Sequence, residues 1–322
     1  MNKRVMIVDA LNMYIRAYIV NPTMSTNGNP VGAVVGFLGM LRKQMREIKP
    51  DQVVICWDGK GGSSRRREVV KEYKEGRKPI RKNYEVDGMD KQTEKENKIW
   101  QQQTLMEIIN NLPFIQIMVD NVEADDIIAY VSKSKVYAGW QKVIVSSDKD
   151  FIQLLDNETI LFRPIQDKLH TVKNVIEEFG IAPSNFAIAR AIAGDPSDNL
   201  EGVPGAGLKT ISKRLPVLVE NETATLDEVL TSCEEYCGKI KFYKDVAEMQ
   251  ELVKTNYSIM NLVPPMISPQ GTAKILYAIE NFEFEVNATK LKTISIEGGF
   301  AAFDWSEIVS TARSIIHSNK KD

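Results

Sequence analysis

The chain has 322 residues, 43% hydrophobic and 26% charged, which argues against global disorder and gives length for a large core in two lobes. Three cysteines (Cys56, Cys233, Cys237) and two isolated histidines (His170, His317) argue against a disulfide framework, His-based catalysis and a His-rich metal site. The net charge of −2 hides an asymmetry: Lys60–Lys82 carries +7 and the remainder −9, so one basic element is set against an anionic partner.

In chain order, MNKRVMIVDA has too short an apolar run for a signal peptide, and no stretch approaches the ~18 apolar residues of a membrane span. The chain reads as soluble, intracellular and cytoplasmic, with no membrane partner. Arg4–Asp9 reads as a buried strand ending in an acid. Val31–Glu47 reads as a helix, with Val34, Phe37, Leu38 and Leu41 near helical spacing, ended by Pro50. Val53–Asp58 is a second buried strand ending in an acid. The basic segment that follows has no core face until about Lys95. Asn97–Leu112 reads as a helix and Phe114–Val119 as a strand. VEADDIIAYV, Val122–Val131, opens another helix. Lys142–Ser146 and Thr159–Phe162 read as strands, with a short helix starting in SDKDFIQLL between them. This alternation predicts right-handed crossovers and a mostly parallel sheet, with ligands outside the carboxyl ends of the strands, where Asp9, Asp58 and Asp148 fall. After about Pro164 the pattern is helical: Pro183–Ala193, Leu208–Val219, Thr225–Cys237, Val246–Asn256 and Trp305–His317. The terminal SNKKD reads as frayed.

The acids form a set: Asp9, Asp58, Glu123, Asp125, Asp126, Asp148, Asp150, Asp195 and Asp198. Each has a structural alternative. Glu123, Asp125 and Asp126 suit a helix start, Asp148 and Asp150 a cap before Phe151, and Asp195 a turn through Pro196. Together on one rim they would repel or take up protons unless cations sat among them. Oxygen-only ligands favour Mg²⁺ or Mn²⁺ over Zn²⁺, and two such ions suit phosphodiester cleavage.

In AIAGDPSDNLEGVPGAGLKTISKRL, Gly202, Gly205 and Gly207 precede a helix carrying Lys209, Lys213 and Arg214. Backbone N–H groups there suit a phosphate, and the carbonyls suit a monovalent cation; the alternative is a tight turn needing glycine. In the basic segment, which includes Arg65 and Lys71, Tyr73 among cations suits stacking on a nucleobase, or the whole is a solvated basic helix.

Taken together, these residues resemble the 5′-nuclease family of flap endonucleases and 5′→3′ exonucleases, most closely its stand-alone bacteriophage members. The resemblance runs from about Arg4 to Leu215, through VDALNMYIRA, NGNPVGAVVGF, CWDGKG, EYKEGRK, VEADD, SSDKDF and GDPSDNLEGVPGAGLKT. It implies an α/β fold: a mostly parallel PIN-like core over 1–165 with a helical arch at about 60–95. A mainly α-helical region over 166–322 would follow, carrying a helix–two-turn–helix motif near 186–220. It places the active-site Lys and Arg on Lys74 and Arg77, and metal binding on the nine acids. Two or more Mg²⁺ or Mn²⁺ are implied. So are duplex contacts at Gly202, Gly205, Gly207 and Lys209, with K⁺ at that turn. The implied substrate is branched or 5′-ended DNA, or an RNA–DNA primer, cut near its junction during replication, by a monomer working beside replication proteins. Two other classes stay open: a non-catalytic branched-DNA-binding replication protein, and a metal-dependent RNase on a similar core.

Overall fold

Val- and Ile-rich runs buried on both faces build the centre of the molecule, as a parallel sheet requires. The computed structural model describes residues 3–77, 80–85, 89–220, 224–300 and 303–319. Part of the expected arch (78–79 and 86–88) and the last residues of the expected frayed end lie outside them. β1 (Arg4–Asp9), β2 (Gln52–Trp57), β3 (Ile115–Met118), β4 (Gln141–Val145), β5 (Thr159–Arg163) and β6 (Lys168–His170) form one sheet ordered β3-β2-β1-β4-β5-β6. The first five are mutually parallel, and β6 returns antiparallel to β5. The order reverses between β1 and β4, so the crevice at their carboxyl ends is the favoured ligand position.

The helices are α1 (Ala10–Val20), α2 (Gly32–Ile48), α3 (Ser64–Val69), α4 (Lys91–Ile109), α5 (Ala124–Lys133), α6 (Val172–Phe179), α7 (Phe186–Ala193) and α8 (Leu208–Arg214). They continue as α9 (Val217–Glu220), α10 (Leu226–Glu235), α11 (Lys241–Glu248), α12 (Gln250–Met260), α13 (Pro269–Glu280), α14 (Ala288–Glu297) and α15 (Trp305–Ser318). One sheet face packs Met6 and Val8 against α1, α2 and α4; the other packs Val5 and Ile7 against α5 and α7.

Several elements depart from expectation. The single helix expected over Leu208–Val219 is two, because Pro216 lacks an N–H and breaks the ladder after α8. The expected division at 165 falls inside the β5–β6 hairpin, not at a break in the core. The chain's end is not part of a separate helical lobe. α14 and α15 return to the sheet and bury Leu291, Ile294, Ile308, Ala312 and Ile315 with Phe37 and Leu38 of α2. The stripe Ile308, Ala312, Ile315 has the i, i+4, i+7 spacing of a helix with one apolar face. Among the described residues no helix is long and apolar enough to cross a membrane.

Candidate metal centre and arch root

Asp9 ends β1 and begins α1 at once. Its carboxylate accepts the Asn12 N–H at 3.2 Å and the Ser146 hydroxyl at 2.7 Å. Asp58 follows β2 and accepts the Ala124 N–H at 3.0 Å, capping α5 from a neighbouring strand. Asp125 lies in the first turn of α5. Beyond β4, the Asp148 N–H donates to the Ser146 hydroxyl, and the Asp150 N–H donates to Asp148 Oδ1 at 2.8 Å. Three strand ends thus deliver acids to one rim.

Their electrostatics agree. Burial pushes Asp9 up to about 7, with Asp58 and Asp148 adding repulsion against the Ser146 hydrogen bond. Burial likewise takes Asp150 up to about 7, with repulsion from Asp148 offset by Arg190. Burial raises Asp58, against the Ala124 hydrogen bond and the Lys74 charge. It raises Asp125 well above the carboxylate range; Lys74 opposes this, while Asp148, Asp9 and Glu123 add to it. Among the described residues, Asp9, Asp58, Asp125 and Asp148 have no ion pair within 4.0 Å. Nor do any three Asp, Glu, His or Cys side chains there stand close enough to form a ready-made cage. Four mutually repelling carboxylates without cation partners, one buried and three half-buried, fit a hard ion that retains several waters, which needs no tight cage.

The other five acids already hold cations. Asp126 is a correction to the metal set. Arg66 grips it in a fork at 2.7 and 3.2 Å, and the Met266 N–H binds it at 2.8 Å. With both oxygens occupied and 1% exposure, Asp126 is a structural partner. Arg190 bridges Asp150 (2.8 Å) and Asp195 (2.5 Å). Burial works against the Asp195 charge, but Ser197 and Arg190 hold it below the usual carboxylate range. Arg77 pairs with Asp198. Glu123, 3% exposed, takes Lys74 on Oε1 at 2.7 Å, and Arg66 (2.9 Å) and the Tyr73 hydroxyl (3.3 Å) on Oε2.

These contacts define the root of the basic segment. Lys74 has φ +58°, its N–H donates to the Asp198 carbonyl at 2.9 Å, and its ammonium lies 4.9 Å from the Tyr73 ring centre. Burial works against the Lys74 charge, yet Asp125 and Glu123 hold it above the lysine range. Tyr73, 4% exposed, is a second correction: its ring packs with Leu200, Ile259 and Met260 and offers no free face to a base. Arg65 is half-buried and donates to the Met266 carbonyl, whereas Lys71 is exposed. Lys74, Arg77, Asp125, Asp148, Asp150 and Asp198 line a small pocket of about 30 Å³, enough for a few waters.

Between α7 and α8 the chain makes two turns. A Cβ on Gly202 would lie 2.0 Å from the Ala193 carbonyl oxygen, so that glycine serves close backbone packing. Gly205 (φ +75°) and Gly207, which caps α8, face open space, and Lys209 is exposed beside them. The sequence reading missed Arg66, Arg190 and Ser146. A lone arginine in the apolar FAIARAIA, close to an acidic turn, was the available signal for Arg190.

The sheet order and its acid-lined switch point define a mostly parallel α/β domain with an acidic rim. The family profile described as "5'-3' exonuclease, N-terminal resolvase-like domain" matches residues 4–180, and the chain belongs to this 5′→3′ exonuclease family. It is 30% identical over 263 residues to DNA polymerase I of Caldicellulosiruptor bescii, covering 78% of this chain and 29% of the polymerase. The chain thus spans under a third of that relative's length. It is 28% identical over 209 residues to the 5'-3' exonuclease of Aquifex aeolicus, covering 65% of this chain and 67% of that one. In fold it is similar to the flap endonuclease of bacteriophage T5, solved with DNA and metal ions. The TM-score is 0.64 at 19% identity, covering 97% of this chain and all of the phage chain.

Proposed function

We propose that this protein is a structure-selective, divalent-metal-dependent 5′ nuclease. It hydrolyses phosphodiesters near single-strand–duplex junctions of branched or 5′-ended DNA, RNA-primed ends included. One observation carries the reading: four carboxylates without cation partners, Asp9 buried and Asp58, Asp125 and Asp148 half-buried, share the sheet's switch point, and Lys74 and Arg77 lean in from the arch root. The metal ions and DNA in the phage T5 complex support it by likeness.

Asp9, Asp58, Asp125 and Asp148 would hold the cations, with Glu123, Asp150, Asp195 and Asp198 around them. Mg²⁺ or Mn²⁺ there supplies Lewis acidity toward water and the scissile phosphate. Lys74 and Arg77, held beside this pocket by Glu123 and Asp198, face the phosphate position. Their charges then stabilise the trigonal-bipyramidal phosphate as negative charge grows on it. Lys209 and Lys213, exposed on α8, hold the duplex by its phosphates and read no sequence. K⁺ at the Gly205–Gly207 turn, action as a monomer and work beside replication proteins belong to the same reading.

The test is a 5′-flap duplex incubated with Mg²⁺, with and without EDTA. Cleavage near the junction is expected only without chelator. Tight junction binding with no cleavage under any divalent metal would leave a non-catalytic DNA-binding protein, and preference for single-stranded RNA an RNase. For the duplex contact, the Lys209→Ala/Lys213→Ala protein should keep its thermal midpoint. Its log-affinity slope against log salt should flatten by about 1–2, since each lost phosphate contact releases fewer counterions. An unchanged slope in a fluorescence-anisotropy titration would remove α8 from the interface.

A further inference from the structure

We infer that Arg66 is a positioning residue of the nuclease site: it fixes Glu123 and, through Glu123, the Lys74 ammonium at the arch root. The inference rests on the nuclease reading for its activity arm only.

Arg66 belongs to α3, where the basic segment begins, and is 3% exposed. Its Nε donates to the Ile259 carbonyl at 2.9 Å. Nη1 and Nη2 grip the two Asp126 oxygens, and Nη1 also reaches Glu123 Oε2 at 2.9 Å. A planar guanidinium held at three acceptors on two elements has no rotational freedom left. Asp126 is fixed in turn by the Met266 N–H. The fork therefore joins three places: α3, the start of α5 and the stretch from 259 to 266.

The consequence reaches Lys74. With Oε2 of Glu123 held by Arg66 and the Tyr73 hydroxyl, Oε1 is the oxygen turned to the cleft, and there the Lys74 ammonium docks at 2.7 Å. Two carboxylates, Glu123 and Asp126, face two cations, Arg66 and Lys74. Without the guanidinium, two buried carboxylates compete for one ammonium, and Lys74 is drawn inward, away from Asp125 and the phosphate position. Lysine at 66 keeps the charge but cannot bind Asp126 with a fork and reach Glu123 together.

The experiment compares wild type, Arg66→Lys, Arg66→Gln and Asp126→Asn in two arms. The first arm follows trypsin cleavage after Lys71, Lys74 and Arg77 in metal-free protein without DNA. Faster cleavage is expected in every variant, greatest in Arg66→Gln. The second measures kcat and KM on the 5′-flap duplex with Mg²⁺. Arg66→Gln should lose about 10²-fold in kcat with KM nearly unchanged, and Arg66→Lys should recover part of that loss. A lowered thermal midpoint with wild-type kcat per folded molecule, or wild-type proteolysis in all variants, overturns the inference. If Arg66→Gln does not fold, Asp126→Asn carries the same readouts from the fork's other side. If wild type itself cuts no flap, the nuclease reading fails, while the proteolysis arm still decides whether Arg66 anchors the arch root.

Discussion

The Asp148→Asn/Asp150→Asn protein is expected to bind branched DNA and cut none of it, with turnover at least about 10³-fold down. Asp148 is one of the four rim acids without a cation partner, and Asp150 adjoins it through the N–H···Oδ1 bond. Asparagine preserves shape, and its carbonyl oxygen can still accept from Arg190, which also keeps Asp195. The fold should therefore survive the change. The duplex contacts proposed on α8 are untouched, so affinity for a flap substrate in Ca²⁺ should remain within a factor of about 3. Retained turnover in a single-turnover assay would take both acids out of the mechanism.

The same variant should alter the pH dependence of stability in metal-free protein. Asp9 and Asp150 are pushed up to about 7 by burial and neighbouring carboxylates, from 3.8. Between about pH 4 and 7 the folded protein binds protons that the unfolded chain has released. Stability thus falls as pH rises across that window and levels off above it. The metal-free midpoint should be higher at pH 5 than at pH 8, and saturating Mg²⁺ should shrink the difference. The double variant, relieved of two rim charges, should gain roughly 1–2 kcal/mol over wild type at pH 8 without metal. A protein that is more stable at pH 8 than at pH 5 without metal would contradict the repulsive rim.

The rim was legible because the apolar runs of β1 and β2 stop at aspartate, β4 is followed by Asp148 three residues on, and a parallel sheet aligns such ends whatever lies between them. Asp9 and Asp58 could be placed from RVMIVD and VVICWD alone. The helix following Asp9 was not anticipated, because no loop separates it from β1 and one residue serves as both strand end and cap. What stayed hidden is which acids are already neutralised. Asp126 and Arg66 are 60 residues apart, and nothing local in VEADD separates Asp125, which faces the rim, from Asp126, which faces Arg66. Their helical offset of about 100° turns the two side chains to different surroundings. Tyr73 failed for a related reason: an aromatic among bases looks exposed, and only the fold supplies Leu200, Ile259 and Met260 to bury it.

Lys74→Ala should cut turnover by about 10²–10³-fold at saturating Mg²⁺ with little change in KM, the loss associated with one preorganised donor at developing charge. The ammonium is placed for this by the positive φ of its own backbone, the Asp198 carbonyl and Glu123, so it is held near the rim before any substrate arrives. Arg77, more than half exposed and freer to move, is more strongly screened, and Arg77→Ala should cost less. The metal dependence separates this loss from that of a rim acid. In the metal-free protein Lys74 neutralises Glu123 and eases Asp125. Removing it makes the rim more negative, so Mg²⁺ should bind as tightly as in wild type or more tightly. Losing Asp148 has the opposite effect on Mg²⁺ affinity. Isothermal titration of the metal-free proteins with Mg²⁺, beside flap-cleavage kinetics, decides it. If added Mg²⁺ restores the Lys74→Ala rate, the lysine organises the metal site and does not act on the phosphate.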